Sequence, residues 1–272
     1  MMLRMTLDLS EVAQRAAWDR VAHEYAHFVG EHLERYAADA LRLAEVHAGD
    51  LVLDVATGPG TLARLAARVT TVTALDHSPE MIVALRKLAN EDQLSRLTLT
   101  VGDGQALPYP DASFDAGFSM FGLFMFPDRA RGFAELRRVV KPAGRAVVAS
   151  WQPSQRELPV FRLVGEELAK EMGEEGRDHA MPLSDPVALK EEMSVAGFTV
   201  EVTSATHTLR APSTAALWQG LERSHVALAI AKRQLPPDRY DAIAARIASR
   251  LIEELGEGPQ KIPMSAWLAH GS

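Results

Sequence analysis

Three carboxylates stand out by where they fall along the chain. Asp54 lies in a short apolar run, Leu51 to Val55, four residues ahead of Gly58-Pro59-Gly60. Asp76 closes a second run, Thr71 to Leu75, and Asp103-Gly104 closes a third, Leu97 to Val101. If these runs are parallel strands, all three carboxylates share the edge at which open α/β sheets bind ligands. Asp54 can then face a cationic group, Asp76 can accept hydrogen bonds from both hydroxyls of a ribose, and Asp103 can accept from the exocyclic amine of a purine. The set suits a nucleoside carrying positive charge and suits a pyrophosphate badly, because like charges repel. Gly58 and Gly60 let the backbone approach such a ligand closely. Read alone, Gly58-x-Gly60-x-x-Ala63 also fits a dinucleotide fingerprint, which leaves an NAD(P)-dependent oxidoreductase as the rival reading. That rival predicts hydride-site residues such as Tyr-x-x-x-Lys, and no such pair occurs. A third reading is a protein that binds the nucleoside without turnover.

Four motifs in order raise the specificity: Asp54 to Gly60, Leu75 to Met81, Gly102 to Pro110, and Ser113-Phe-Asp115 followed by Glu135 to Gly144. With them the sequence resembles the class I S-adenosylmethionine-dependent methyltransferases, and most the small-molecule group that includes the ubiquinone and menaquinone biosynthesis methyltransferases. The resemblance is good over residues 50–152 and looser elsewhere. It implies that Asp54, Gly58 and Gly60 hold the methionine part of S-adenosylmethionine, with Thr57 and Pro59 lining the turn. Asp76 would bind the ribose, His77 and Met81 would border the adenine, and Asp103 with Gly104 would bind its amine. Ser119 and Met120 would supply backbone near the sulfonium, and Tyr25 would touch the cofactor carboxylate. The product would be S-adenosylhomocysteine. Two positions depart from the pattern: Ala56 stands where the motif often has its first glycine, and Ala143 replaces a glycine of the turn before the fifth strand.

Elements to position these residues are readable from periodicity. Trp18, Val21, Tyr25, Phe28 and Val29 recur at helical spacing in an N-terminal segment, 1–48, read as a helical lid. Strands are expected at Leu51–Val55, Thr71–Leu75, Leu97–Val101, Phe114–Ser119 and Arg145–Ser150. Helices fall between them, one opened by Ser78-Pro79-Glu80 with serine as cap and proline at the first helical position. Such alternation implies a doubly wound, mostly parallel α/β sheet. Asp185-Pro186 opens a further helix, and Phe198 to Leu209 alternates like a strand. The segment 210–260 reads as a helical cap inserted before a last strand, 261–272, leaving 49–209 as the Rossmann-like core. The resemblance makes that sheet seven-stranded with its last strand antiparallel.

The chain has 272 residues, 47% of them hydrophobic, a net charge of -7 and no cysteine. Disulfides, thiolate metal sites and a thiol nucleophile are excluded, and with the thiols goes an arsenite methyltransferase. The acidic balance argues against nucleic acid, as does the lack of Asn/Asp-Pro-Pro-aromatic after the fourth strand. The longest apolar stretch, Ala116 to Pro127, is too short to span a bilayer, and Met1 to Val21 has no secretory h-region. The expectation is a cytoplasmic enzyme, with its oligomeric state open. Its partner is a small aromatic or lipophilic acceptor, O- or C-methylated in a pocket walled by Trp18, Phe121, Met125, Trp151 and Trp218. A phenol or enol acceptor needs a base, for which His225 in the cap is the first candidate and Tyr25, His23 or His27 on the first helix are the others. His23-Glu-Tyr-Ala-His27 is a literal His-Glu-x-x-His, but it lacks a third-ligand motif, and no metal is expected.

Overall fold

The structure, a computed structural model, describes residues 7, 10–154, 158–173 and 181–272. The first strand β1 (Leu51–Val55) pairs in parallel with β2 (Thr71–Asp76) on one side and β4 (Phe114–Met120) on the other. With β3 (Leu97–Val101), β5 (Val140–Trp151), β6 (Val200–Ala211) and β7 (Gln260–Gly271) they form one seven-stranded sheet of order β3-β2-β1-β4-β5-β7-β6. β7 runs antiparallel to both β5 and β6. The order reverses between β1 and β4, which is the switch point where such sheets open a crevice for ligands.

Local chemistry starts the helices where expected. Ser78 caps α3 (Pro79–Glu91) by accepting from the Met81 N–H at 3.1 Å, with proline at the first position. Asp185 does the same for α6 (Pro186–Val195), accepting from Val187 N–H at 2.9 Å. β5 begins five residues before the expected Arg145, because Lys141 to Gly144 is absorbed as an irregularity in its pairing with β4. β6 keeps the expected length but runs two residues later than Phe198 to Leu209, and β7 starts and ends one residue before the expected 261–272.

The core is in two parts. One packs α2 (Thr61–Ala67), α3, α4 (Arg129–Val139) and α6 on the sheet. The other is helical, drawn from α5 (Pro159–Met172), α7 (Thr214–Ser224), α8 (Val226–Gln234) and α9 (Pro237–Leu255), closed by Ile262 and Met264 of β7. The cap therefore takes in α5, which lies before β6 and outside the expected 210–260. Its apolar spacing at Val160, Leu163, Val164 and Leu168 was the available signal. The long first helix, α1 (Arg15–Leu43), joins the two parts: Ala17 and Val21 lie in the helical core, and Leu33, Tyr36, Ala37 and Ala40 in the sheet core. The first residues of the expected lid, 1–6, 8 and 9, lie outside the described residues. Among those described, no helix is long and apolar enough to cross a membrane.

Candidate active site

A cavity of about 470 Å³ opens at the carboxyl ends of β1 to β4, bordered by α1. The turn after β1 is its floor. Gly58 and Gly60 take left-handed φ values of 55° and 79°. A Cβ on Gly60 would lie 2.1 Å from Leu85, so only glycine lets this turn sit on α3. Ala56 is also left-handed, at φ 54°, which is why related turns favour glycine there.

Asp54 and Asp76 are both buried in the cavity wall. Asp54 accepts from the Thr57 hydroxyl at 2.6 Å, and burial still pushes its carboxyl up to about 7. Asp76 accepts from the backbone N–H groups of Gly58 and Ser78, each at 2.8 Å, so it ties the glycine turn to the start of α3. Burial raises its pKa as well. No Lys or Arg is paired with either, and Arg15 is the only such residue lining the cavity among the described residues. Two desolvated carboxylates without a cation form a donor set that a positively charged nucleoside completes, and S-adenosylmethionine is such a nucleoside. Asp103 accepts from Gln105 N–H at 2.8 Å, and Gly104 leaves no room for a side chain beside Phe126. His77 and Met81 also line the cavity; His77 Nε2 is buried with no hydrogen-bond partner.

Tyr25 of α1 faces the same space. Burial and the nearby Asp76 push its phenol up to about 12, so at neutral pH it keeps its proton, free to donate a hydrogen bond to a ligand but not to act as a base. Met120, Phe121 and Met125, around the exit of β4, meet Leu33 and Ala37 of α1 to form an apolar end, and Trp18 lines the cavity too. Leu33, Ala37 and Arg15 were not foreseen. They continue the spacing of Trp18 and Tyr25 along one helix face, and that spacing was the signal.

Five expected residues do not line this cavity. Gly60 instead packs against Leu85 of α3. The Ser119 side chain accepts from Leu123 N–H at 3.1 Å and so starts the 3-10 turn Leu123–Met125. Trp151 stands behind Phe121 instead of beside the ligand space. Trp218 is packed into the helical core. His225 is half-buried at the junction of α7 and α8, its backbone N–H bound to the Leu221 carbonyl at 2.8 Å. Burial holds its imidazole down at about 4, so it is neutral and away from the cavity. The cap that was to present it to the acceptor holds it away from the cavity. His23 and His27 lie exposed on α1 along a separate groove, and no cluster of three or more potential metal ligands occurs among the described residues.

Residues 53–148 match the methyltransferase domain family model. A demethylmenaquinone methyltransferase of Deinococcus radiodurans is 40% identical over 144 residues, covering 51% of this chain and 58% of the relative. That of Thermus thermophilus is 33% identical over 181 residues, covering 61% of this chain and 82% of the relative. The chain belongs to the class I S-adenosylmethionine-dependent methyltransferase family, in the group related to UbiE. It spans little more than half the length of some of these relatives: 58% of the Deinococcus protein and 50% of a UbiE from Geobacter sulfurreducens. Among solved structures, a methyltransferase-like protein from Bacillus halodurans superposes with a TM-score of 0.60 at 18% identity, covering 86% of this chain and 96% of that one. The [4+2]-cyclase SpnF superposes at 0.57 and 22%, covering 88% and 80%. The fold is common to all, while the reaction is a property of each site.

Proposed function

We propose that this protein transfers a methyl group from S-adenosylmethionine to a small aromatic or lipophilic acceptor, at oxygen or carbon. The observation that carries the reading is the division of one cavity into a carboxylate-lined part under β1 to β3 and an apolar part at the exit of β4. Bound there, the cofactor supplies an electrophilic methyl on a sulfonium. Asp54 offers its carboxylate to the positive methionine part, Asp76 to the ribose and Asp103 to the adenine amine. Met120, Phe121 and Met125 exclude water and hold the acceptor against the donor, from which most of the acceleration in such a displacement comes. Tyr25 donates a hydrogen bond to the cofactor carboxylate or to the acceptor oxygen. The relatives' names point to a quinone-type ring as the acceptor, and the apolar lining suits one. A cytoplasmic site of action fits a chain whose described residues include no membrane span.

The test is a thermal-shift comparison of S-adenosylhomocysteine, S-adenosylmethionine and NAD(P), with Asp76→Ala as control. A ligand at about 100 times its Kd adds about 2.7 kcal/mol. A rise with the first two that is lost in the folded variant supports the reading. A rise with NAD(P) alone overturns it. Transfer of labelled methyl to a panel of phenols, naphthols and demethylmenaquinol then separates an enzyme from a non-catalytic binder.

A further inference from the structure

Cofactor binding leaves one feature of the β4 exit unexplained. Phe121 holds a left-handed φ of 59°, a strained conformation for a bulky residue that persists only where its surroundings over-determine it. Its ring stacks on Trp151 of β5, with 4.0 Å between centroids and 21° between planes. Tyr36 of α1 meets both rings edge-on, at 5.4 and 5.7 Å, and its hydroxyl donates to the Met264 carbonyl of β7 at 2.5 Å. Behind Tyr36 lies His207 of β6, 4.6 Å away ring to ring and held by Asp39 at 2.8 Å. Of these rings only Phe121 lines the cavity. The others form a column that anchors it to α1, β5, β6 and β7, of which only α1 otherwise reaches the cavity.

With Trp151 stacked on its ring and Tyr36 edge-on beside it, Phe121 contributes an apolar ring surface to the cavity wall that Met120 and Met125 also line. Flat rings stack on such a surface, and thioethers favour ring edges. We propose that the Phe121 ring is the specificity-determining wall of the acceptor end, setting how long a flat aromatic acceptor it admits, and that Trp151 is a positioning residue acting through it. This deepens the methyl-transfer reading and rests on its division of the cavity.

The experiment compares the Kd of 1,4-naphthoquinone with that of 1,4-anthraquinone, one ring longer, by calorimetry, with and without S-adenosylhomocysteine. The chain has no cysteine for a quinone to arylate, so binding is read without thiol chemistry. The wild type is expected to prefer the shorter ring by about tenfold, the scale on which a pocket wall discriminates size. Phe121→Ala and Phe121→Leu should bring the two affinities together or invert them. Trp151→Leu should do the same, while Trp151→Phe, which keeps a stacking partner, should retain the wild-type ratio. A ratio unchanged in Phe121→Ala and Trp151→Leu overturns the proposal, as does a wild type that binds both rings equally or neither. If Trp151→Phe behaves like Trp151→Leu, the role given to Trp151 falls. Failure of the wild type to bind S-adenosylhomocysteine is a separate result: it sinks the methyltransferase reading, while the quinone ratio still reports on the wall.

Discussion

Gly122 lies against Ala56 with no space for a side chain of its own: a Cβ there would be 2.4 Å from the Ala56 methyl. The two residues follow adjacent parallel strands, β1 and β4, so the cavity floor depends on this fit. Ala56 holds its left-handed φ at a cost of about 1–2 kcal/mol relative to glycine, and its methyl occupies the room that Gly122 leaves. Gly122→Ala is therefore expected to lose about 1–3 kcal/mol by overpacking and to weaken S-adenosylhomocysteine binding. Adding Ala56→Gly removes the clashing methyl and should restore much of both. Urea unfolding of the two single variants and the double one measures this coupling; additive losses would refute it.

Asp54 makes the ligand-free protein sensitive to pH. Its pKa in the fold is about 7 because of burial, against 3.8 for a free side chain. Between those values the folded state binds the extra proton, so the Asp54 contribution is present at low pH and is lost as pH rises through about 7. A shift of this size corresponds to at most about 4 kcal/mol. Asp54→Asn should remove that share of the decline in Tm between pH 5 and 8 without ligand, while losing affinity for the cationic cofactor. A variant whose Tm follows the wild-type pH profile would contradict the burial argument.

Asp19 ties α1, which borders the cavity, to the start of α3. Asp19 of α1 accepts from the Ser78 hydroxyl at 2.5 Å, while Ser78 caps α3. Asp19→Ala should release α1 while leaving the cap intact, raising the dissociation rate of S-adenosylhomocysteine several-fold at little cost in stability. Ser78→Ala loses both contacts and should also cost about 1 kcal/mol of stability. Stopped-flow dissociation and urea unfolding distinguish the two; equal dissociation rates in wild type and Asp19→Ala would show that the tie does not gate the ligand.

The cofactor part of the site was legible because its residues sit at fixed places in a local grammar: a strand, a carboxylate at or near its end, then a glycine turn or a serine cap. Asp54, Asp76 and Asp103 reach one cavity because parallel strands bring their ends together. The acceptor part was less legible because it is built by packing between distant segments. Trp151 and Phe121 both drew notice as apolar residues, but only three-dimensional stacking decides which faces the ligand. The sequence predicts a cap that turns His225 toward the acceptor, whereas α5, α7, α8 and α9 bury against one another and leave His225 off the cavity wall. A helix that is apolar on one face does not say in sequence which neighbour will cover it.

His225 illustrates the consequence for catalysis. A base must reach the proton it removes, and this imidazole lines no part of the cavity. Its Nδ1 is buried without a hydrogen-bond partner, and burial lowers its pKa to about 4 from 6.5. Protonation therefore favours the unfolded chain: the stability is present above about 6.5 and is lost as pH falls through about 4. The loss amounts to at most about 3 kcal/mol. His225→Leu is expected to keep methyl transfer within about twofold of wild type at neutral pH and to unfold less readily below pH 6. A pH–rate profile together with acid unfolding checks both halves. A drop in kcat of about 100-fold or more, the range for a lost general base, would return His225 to the chemistry.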